Sequence, residues 1–525
     1  MLDFRIHVGS SWRGGRERRP PLGGIAGPSG GGRQGGKLPP LVKRSSRLSL
    51  PLAMGEYVAG SFLASLTTLR LKRTLVLVIG ALLCVGTSSA QNRLNAAAID
   101  SYLTPYVRSG NFSGDVLVKQ NGRAIFEKAY GFADREHWVV NTSATRFHIA
   151  SISMQFTSAA VLRLVDQGAI SLDTRVGDLV PGITGADKIS IRDLLMERSG
   201  LADINDLPDY SDILQHHQTP GSLIASIKDR PLLFEPGSKF LHEEHSAYNL
   251  LAWIVEKKTG LPFAAAMTKL VFRPLRLAAS GVDDDLTTRA AKMAKGYEPD
   301  GVYGLKLATP IHWSAKTGNA SIFTTARDEA GWVDALLADR LLKARSRETI
   351  LDTSQRVGYG WFRGSSQRFS ETTYYMNGRA PGFASFVLYL PHEQTTVVVF
   401  SNIYSSATTT IGYDIAAISL GLPYEPFHPR HPAPSPSELK TCTGTFQFGP
   451  DFYQPNAEVI LMVRGAELFM HWPSGDISPL IPLGRDHFVD RSYWEEINIE
   501  RDTTGLPITV VYDHFRGNVT SANRK

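Results

Sequence analysis

A serine at the start of a predicted helix is the residue whose position best suits nucleophilic chemistry. The segment 147–181 reads FHIASISMQFTSAAVLRLVDQGAISLDTRVGDLVP, with apolar residues at helical spacing after Ser151 and a terminating Gly168. Free backbone N–H groups and the helix dipole at this N-terminus would stabilise an oxyanion formed beside the Ser151 hydroxyl. Serine is also a common N-cap, so the position alone leaves a purely structural role open.

A second stretch, His242-Glu243-Glu244-His245, carries imidazoles and carboxylates that could act as general bases or bind a metal ion. Its histidines are three residues apart, whereas the helical zinc motif needs them four apart. The spacing therefore favours a solvated polar loop. The sequence predicts no metal and no cofactor.

The elements that would position these residues resemble, in order, those of the serine β-lactamase and penicillin-binding-protein family. The likeness is to its branch of class C β-lactamases, D-aminopeptidases and esterases, and it covers about residues 95–425. Seven matching segments carry it: 131–134, 147–157, 171–181, 189–195, 234–240, 380–383 and 395–402. The resemblance implies an α+β fold, in which helices flank an antiparallel sheet.

The resemblance also assigns roles to particular positions. It places the nucleophile at Ser151 and the lysine of the family's Ser-x-x-Lys motif at Met154. The Tyr-x-Asn motif falls on the polar loop, where one extra residue puts either His242 or Glu243 at the tyrosine position. The Lys-x-Gly or His-x-Gly motif keeps Gly378 but has Met376 in place of the cation. The resemblance implies an oxyanion hole built from the backbone N–H groups of Ser151 and Arg379; the Arg379 side chain could bind a ligand carboxylate or a surface acid.

These replacements bear directly on catalysis. Methionine cannot accept the proton that a serine hydroxyl loses as it attacks. General acid–base assistance typically raises the reaction rate about 100- to 10,000-fold. When several groups act as a unit, the losses of rate caused by removing each of them do not add.

Two hypotheses follow. The protein is a weak or non-catalytic binder of peptidoglycan-type or acyl ligands, or it is an active hydrolase of β-lactamase, D-aminopeptidase or esterase type. The second needs a new base for Ser151, from His242, Glu243, Glu244, His245 or His148.

The first 90 residues differ in character from the rest. They hold 13 Lys and Arg against 3 Asp and Glu, so the remaining chain is net acidic and a nucleic-acid partner is not expected. Residues 1–53, rich in Gly, Pro and Arg, are predicted to be disordered. Residues 54–90 have the form of a signal peptide, with basic residues before an apolar run at 75–85 and small residues at 88–90. We expect translation from Met54, cleavage after Ala90, no stable membrane span afterwards, and a periplasmic or secreted protein.

The mature chain divides by composition into a hydrolase-like domain (91–422), a linker with six prolines (423–437) and a C-terminal domain (438–525). Short alternating runs at 459–463, 467–471, 497–500 and 508–512 predict a small antiparallel barrel or sandwich. The pattern resembles the lipocalin-like domain often attached to the family, which implies a barrel. Its aromatic residues are predicted to form the core: Phe469, Trp472, Phe488 and Trp494. Cys442 would be the single cysteine after cleavage, so no disulfide is expected.

Several elements of the larger domain are also predicted. The β-prone runs 112–119 and 123–130 flank Asn121-Gly122, a dipeptide typical of tight hairpins. Helical periodicity predicts helices over 94–107, 248–260, 325–342 and 409–420.

Overall fold

A computed structural model describes residues 95–525 except 242–243, 286–291, 451, 453, 474 and 515–517. The predicted disordered segment, the signal peptide and two candidate bases, His242 and Glu243, therefore lie outside the described residues. The described chain forms a seven-stranded antiparallel sheet with helices on both faces, followed by a closed eight-stranded barrel. This confirms the predicted α+β fold with a C-terminal all-β barrel.

The helices are α1 (95–108), α2 (Ser153–Asp166), α3 (Ile191–Leu195), α4 (Tyr210–Ile213), α5 (Pro220–Ala225), α6 (His245–Thr259), α7 (Phe263–Met267), α8 (Arg273–Leu275), α9 (Ala326–Leu337), α10 (Ala344–Leu351), α11 (Ala407–Leu420) and α12 (Pro436–Lys440). A π-helical turn, Thr268–Phe272, joins α7 to α8. None of the helices in the described part of the chain is long and apolar enough to cross a membrane.

The strands before the barrel are β1 (Gly114–Gln120), β2 (Arg123–Tyr130), β3 (Phe132–Asp134), β4 (Val139–Val140), β5 (Phe147–His148), β6 (Gly281–Val282), β7 (Tyr297–Asp300), β8 (Gly304–Leu307), β9 (Ile322–Thr324), β10 (Val357–Gly358), β11 (Trp361–Ser366), β12 (Glu371–Ala380), β13 (Phe383–Leu390) and β14 (Thr395–Ser401). The large sheet has the order β10-β11-β12-β13-β14-β1-β2. Its hairpin β1–β2 turns at Asn121 and Gly122, both with positive φ, as the dipeptide predicts.

The large sheet separates two apolar cores. Successive side chains of a strand point to opposite faces, and in β14 Val398 and Phe400 join one core while Val397 and Val399 join the other. The first core contains α2, α6 and α9, and the second contains α1 and α11. The candidate nucleophile lies on the side of the first core, because α2 follows it directly in the chain.

The barrel consists of β15 (Gly444–Phe448), β16 (Glu458–Arg464), β17 (Glu467–His471), β18 (Ile477–Pro482), β19 (His487–Asp490), β20 (Glu496–Arg501), β21 (Pro507–His514) and β22 (Asn518–Arg524). Its interior is filled by side chains, among them the fully buried Phe446, Met470 and Phe488. Trp472 also belongs to this core, as predicted. Two core predictions were wrong, since Phe469 is only half-buried and Trp494 packs outside the barrel against Tyr106 of α1.

The barrel docks on the sheet domain through the loop between β19 and β20. Arg491 in this loop is fully buried and makes four hydrogen bonds to the sheet domain. It donates to Asn111 Oδ1 (2.7 Å) and to the carbonyls of Gly110 (3.0 Å), Gly301 (2.5 Å) and Gly304 (2.6 Å). The segment predicted as a linker takes part in this contact, because Phe427 is buried between Tyr106 and Trp494.

Candidate functional site

Ser151 lies in a single 3₁₀ turn, Ala150–Ile152, directly before α2. The turn is buried except for Ser151, which is half-buried. It packs on the face of β12 and β13, where the Ser385 hydroxyl donates to the Ile149 carbonyl at 2.7 Å. Among the described residues, none forms a hydrogen bond with the Ser151 hydroxyl. The hydroxyl is thus held at the edge of the core and remains available to a ligand.

Gly378 of β12 allows this close approach. A Cβ at this position would lie 2.6 Å from the Ile149 carbonyl oxygen and 2.9 Å from the Ser151 backbone nitrogen. Real Cβ atoms do not approach backbone atoms this closely, so residue 378 must be glycine for the present packing. The backbone of Ser151 is therefore adjacent to the segment that contains Arg379. The assignment of their two N–H groups as an oxyanion hole stays a prediction.

Met154 occupies the lysine position, one helical turn after Ser151, and is only 2% exposed. The turn before β11 packs directly on this part of α2, since a Cβ at Gly360 would lie 2.8 Å from the Met154 carbonyl carbon. Met376 is 3% exposed and shares the buried face of β12 with Gly378 and Ala380. Both methionines belong to the same apolar core. No proton acceptor is present at either position.

His245 is the first residue of α6, whereas the sequence predicted a loop up to Tyr248. Its backbone N–H donates to Asp203 Oδ2 (2.8 Å), so the residue that caps the helix N-terminus lies 42 positions earlier in the chain. For this reason no local sequence signal marks the start of the helix. The imidazole Nδ1 lies 3.2 Å from the same carboxylate oxygen and 2.8 Å from Asn205 Nδ2. Asp203 is therefore a site residue that sequence reasoning missed.

Glu244, the neighbouring candidate base, is almost completely buried. Its two carboxylate oxygens accept hydrogen bonds from the backbone N–H groups of Ser199 (3.0 Å) and Gly200 (2.9 Å). Burial nevertheless outweighs these bonds and raises the pKa of Glu244 to about 7. The carboxyl anchors the 199–200 loop to the start of α6, and none of its hydrogen bonds among the described residues reaches Ser151.

His148 is fully buried and belongs to the core beneath the site. Its Nε2 lies 3.0 Å from Asp283 Oδ2, and its ring stacks on Trp313 with 3.6 Å between centroids. The imidazole is committed to a buried pair rather than to the Ser151 hydroxyl.

The side chain of Arg379 lies on the opposite face of β12 from Met376 and Gly378, because side chains alternate along a strand. Its guanidinium carbon is 4.1 Å from the ring centroid of Tyr404 and 5.1 Å from that of Tyr493 in the barrel. No sequence pattern predicts this stacking, since Tyr493 is more than a hundred residues away. The side chain of Arg379 thus contacts the barrel, and the role of its backbone N–H stays a prediction.

A tyrosine contacts α2 one turn beyond the lysine position, but it does not occupy the tyrosine position of the predicted Tyr-x-Asn motif. The Tyr248 hydroxyl is 3.3 Å from Ser158 Oγ, one turn beyond Met154 on α2, and also 3.3 Å from the Leu195 carbonyl. Tyr248 is fully buried, and burial raises its pKa well above the usual value. It therefore stays neutral and supports the packing of α6 on α2.

One cluster among the described residues has metal-ligand spacing. Glu371, His392 and Glu393 place one ligand atom each within 4.8 Å of one another. His392 is exposed, and its Nδ1 already pairs with Glu393 at 3.0 Å. The cluster lies on a surface turn at the far end of β12 from Gly378, so it supplies nothing to the chemistry at Ser151.

The fold and the position of Ser151 define a β-lactamase/transpeptidase-like serine hydrolase architecture. The Beta-lactamase family model matches residues 99–418. The chain belongs to this family, and with it to the serine hydrolase superfamily.

Two curated relatives show how far the sequences diverge within the family. PbpX of Bacillus subtilis (strain 168) is 26% identical over 309 residues, which is 58% of this chain and 74% of PbpX. Protein flp of Staphylococcus aureus (strain MRSA252) is 23% identical over 327 residues, again 58% of this chain but 63% of flp. The chain thus spans somewhat less than two thirds of flp.

Solved structures give the same fold. A penicillin binding protein from Bacillus halodurans aligns with a TM-score of 0.54 and 25% identity, covering 62% of this chain and 98% of that protein. The D-amino acid amidase from Ochrobactrum anthropi SV3, solved with D-phenylalanine, aligns with a TM-score of 0.54 and 19% identity over 62% of this chain and 98% of the amidase. An octameric penicillin-binding protein homologue from Pyrococcus abyssi has a TM-score of 0.56 at 19% identity and covers 81% of this chain and 99% of that protein. At 19% identity the last two show the fold alone.

Proposed function

We propose that this family member is a weak or non-catalytic binder of peptidoglycan-type or acyl ligands at the Ser151 site. One observation carries the proposal: the base position, one turn after Ser151, holds a methionine that is 2% exposed inside an apolar core. A serine hydroxyl needs a positioned base as it attacks. With Met154 and Met376 in these places, the site can hold a carbonyl group but lacks the means to activate the nucleophile.

The edge of β12 supports a peptide-like ligand. β11 pairs with β12 only as far as Tyr375, whereas β13 pairs with it as far as Ala380. The outer edge of β12 from Met376 to Ala380 therefore has no strand partner among the described residues. An extended ligand could add to this edge through main-chain hydrogen bonds. The names of the relatives, penicillin binding protein and D-amino acid amidase, agree with ligands built from short peptides.

Covalent labelling of the purified protein tests the proposal. The wild-type chain and Ser151→Ala are incubated with a fluorophosphonate probe and with a fluorescent penicillin, and adducts are measured by intact mass. We expect no adduct on either chain, together with non-covalent binding of peptidoglycan-derived peptides in a thermal-shift screen. A stoichiometric adduct on the wild type that Ser151→Ala lacks would contradict the proposal.

A second candidate function, an active serine hydrolase with a rebuilt base, is favoured by the His245 environment. A carboxylate beside Nδ1 is the arrangement that orients a catalytic imidazole and leaves Nε2 to accept a proton. Asp203 lies 3.2 Å from His245 Nδ1 in this way, and the role requires Asn205 to turn its amide oxygen instead of Nδ2 toward that nitrogen. If Ser151 labels, His245→Gln and Asp203→Asn should both slow the labelling. Unchanged labelling in both variants would reject this base.

We further propose that the protein is exported and that its mature part divides at residues 91–422, 423–437 and 438–525. The basic residues, apolar run and small residues within 54–90 support export. N-terminal sequencing of the protein from its native cells tests it, with Gln91 expected as the first residue. Peptides from residues 1–53 in the mature protein would contradict the proposal.

A further inference from the structure

A cavity of about 360 Å³ is lined by residues that do not include Ser151. Its walls come from the loop 307–313, from Pro381 and Phe383 at the start of β13, and from Asp283 and Asp285 after β6. The volume falls within the range of about 300–1,000 Å³ that is typical of small-molecule sites. We call it the Asp285 cavity.

The described residues that line the Asp285 cavity carry more negative than positive charge. Asp283 and Asp285 line it, and Lys295, the only cation among the described lining residues, is already paired with Asp134 (2.9 Å) and Glu136 (3.4 Å).

Two histidines also face these aspartates. His148 Nε2 pairs with Asp283 Oδ2, and His312 Nδ1 lies 3.5 Å from Asp285 Oδ2. The same Asp285 oxygen accepts a hydrogen bond from the Ser314 backbone N–H at 2.8 Å. When these imidazoles are neutral, the described lining holds two carboxylates and the one ammonium group of Lys295.

The apolar part of the cavity is aromatic. Trp313 and Phe383 line it with 5.9 Å between their ring centroids, at an angle of 67°. Trp313 is held in place by the parallel His148 ring beneath it. Aromatic rings attract cations through their quadrupole, and the attraction grows when water is excluded. Carboxylates beside aromatic rings therefore select a compact organic cation.

The walls of the cavity are fixed before any ligand binds. Lys295 and Leu307 flank the β7–β8 hairpin, whose turn is tied to the barrel by the Arg491 hydrogen bonds to Gly301 and Gly304. Tyr297 in the same hairpin donates its backbone N–H to the Asn402 carbonyl at 3.0 Å. A preformed site loses less conformational entropy on binding, which favours affinity for a small ligand.

We propose that the Asp285 cavity binds an organic cation, a primary ammonium group on a small apolar body, and that it does so whether or not Ser151 reacts. The ammonium group lies against the Asp285 and Asp283 carboxylates, and the apolar body contacts Trp313 and Phe383. This adds a binding site outside the serine pocket and predicts a preference for basic ligands.

Three probes of similar shape and different charge test the proposal by isothermal titration calorimetry on the full chain at pH 7: benzylamine, benzyl alcohol and benzoate. Benzylamine is protonated at this pH and should bind at least about tenfold more tightly than the other two, as expected for a charge-assisted hydrogen bond. Equal binding of all three, or no binding of benzylamine, would overturn the proposal.

Two neighbouring aspartates provide a matched pair of variants. Asp285→Asn removes the charge but keeps an oxygen for the Ser314 N–H, and Asn tolerates the positive φ of 58° at this position. It should weaken benzylamine binding about tenfold or more. Asp284→Asn removes the same charge one residue away, where the side chain lines a different cavity, and should change the affinity less than twofold. Equal weakening by both variants would show that benzylamine responds only to the long-range negative charge of this region, and it would also overturn the proposal.

Labelling of Ser151 tests the separate proposal about the serine site, so the two proposals can fail independently.

Discussion

At the scale of single residues, the site is defined by what surrounds Ser151 more than by the serine itself. A lysine at position 154 would have to keep its charge where the side chain is 2% exposed. Burial without a partner lowers a lysine pKa strongly, and methionine avoids that cost. The replacement at position 376 extends the same apolar surface along β12. Under the proposed function, these two methionines place part of the core where the resemblance implies proton-transfer groups.

Gly378 offers a direct test of the packing at the nucleophile. Gly378→Ala would place a Cβ 2.6 Å from the Ile149 carbonyl oxygen and 2.9 Å from the Ser151 nitrogen. We expect the free energy of unfolding to fall by about 1–3 kcal/mol, since backbone atoms must move to make room. Urea unfolding followed by tryptophan fluorescence measures the change.

The control is Gly364→Ala in β11, where a Cβ would meet no atom within 4 Å. It should leave the unfolding midpoint nearly unchanged. Similar midpoints for the two variants would mean that the 3₁₀ turn does not pack on Gly378 as described.

Residue by residue, the sequence predicted local features more readily than long-range partners. Gly378 lies against the Ser151 backbone, and Met154 shares an apolar core with Met376. Their assignment to one catalytic site stays a prediction. The contacts of His245 with Asp203 and of Arg379 with Tyr493 join residues far apart in the sequence. No periodicity or motif encodes such pairs, so they became visible only in the fold.

At the scale of elements, the predictions succeeded where local signals are strong. The hairpin β1–β2 and the helices α1, α2 and α11 follow from a turn dipeptide and from apolar spacing. The predicted helix over 325–342 ended too late: α9 stops at Leu337, and its apolar spacing is continued by Leu341 and Leu342 in the following turn. Strand β18 was missed because it contains Pro479 and Pro482, which normally argue against a strand.

Helix α9 contains a buried acid whose titration can be measured. Neither carboxylate oxygen of Glu329 has a hydrogen-bond partner among the described residues, and burial raises its pKa from 4.5 to about 8. The folded protein therefore keeps a proton that the unfolded chain releases between these values. The stability from the neutral carboxyl is complete below about pH 4.5 and is lost as the pH rises to about 8.

Glu329→Gln should remove this dependence, because the amide stays neutral at every pH. Relative to the wild type, the free energy of unfolding of the variant should rise between pH 5 and pH 8 by more than about 1 kcal/mol. Urea unfolding at pH 5, 6.5 and 8 measures the difference. The exposed Glu348→Gln in α10 serves as the control. A constant difference between Glu329→Gln and the wild type across this range would refute the buried-acid account.

At the scale of the whole molecule, the barrel is a structural partner of the sheet domain. Its interior is filled, and its β19–β20 loop carries the contacts to α1, to the β7–β8 hairpin and to Arg379. Composition predicted the proline-rich linker, and the alternating runs with the family resemblance predicted a barrel behind it. They could not predict the docking, which depends on hydrogen bonds from Arg491 to backbone carbonyls that every residue type possesses.

Arg491→Met tests whether this docking stabilises the protein. The variant keeps the apolar stem but leaves Asn111 Oδ1 and the carbonyls of Gly110, Gly301 and Gly304 without their donor. Buried acceptors without a donor should lower the free energy of unfolding by about 2–5 kcal/mol. Differential scanning calorimetry should show a lower transition, separated into two steps as the barrel and the sheet domain melt independently. The exposed Arg464→Met should leave the wild-type trace unchanged, and an identical trace for Arg491→Met would disprove the role of this residue.

The central claim, that Ser151 lacks a working base, is tested most directly by hydrolysis of a short ester. The rate of p-nitrophenyl acetate hydrolysis at pH 7 is compared between the wild-type chain and Ser151→Ala, with the spontaneous rate subtracted. The account predicts rates within about tenfold of each other, since general-base assistance is worth about 100- to 10,000-fold when present. A wild-type rate more than about 100-fold above that of Ser151→Ala would show that a base acts on Ser151 and would contradict the account.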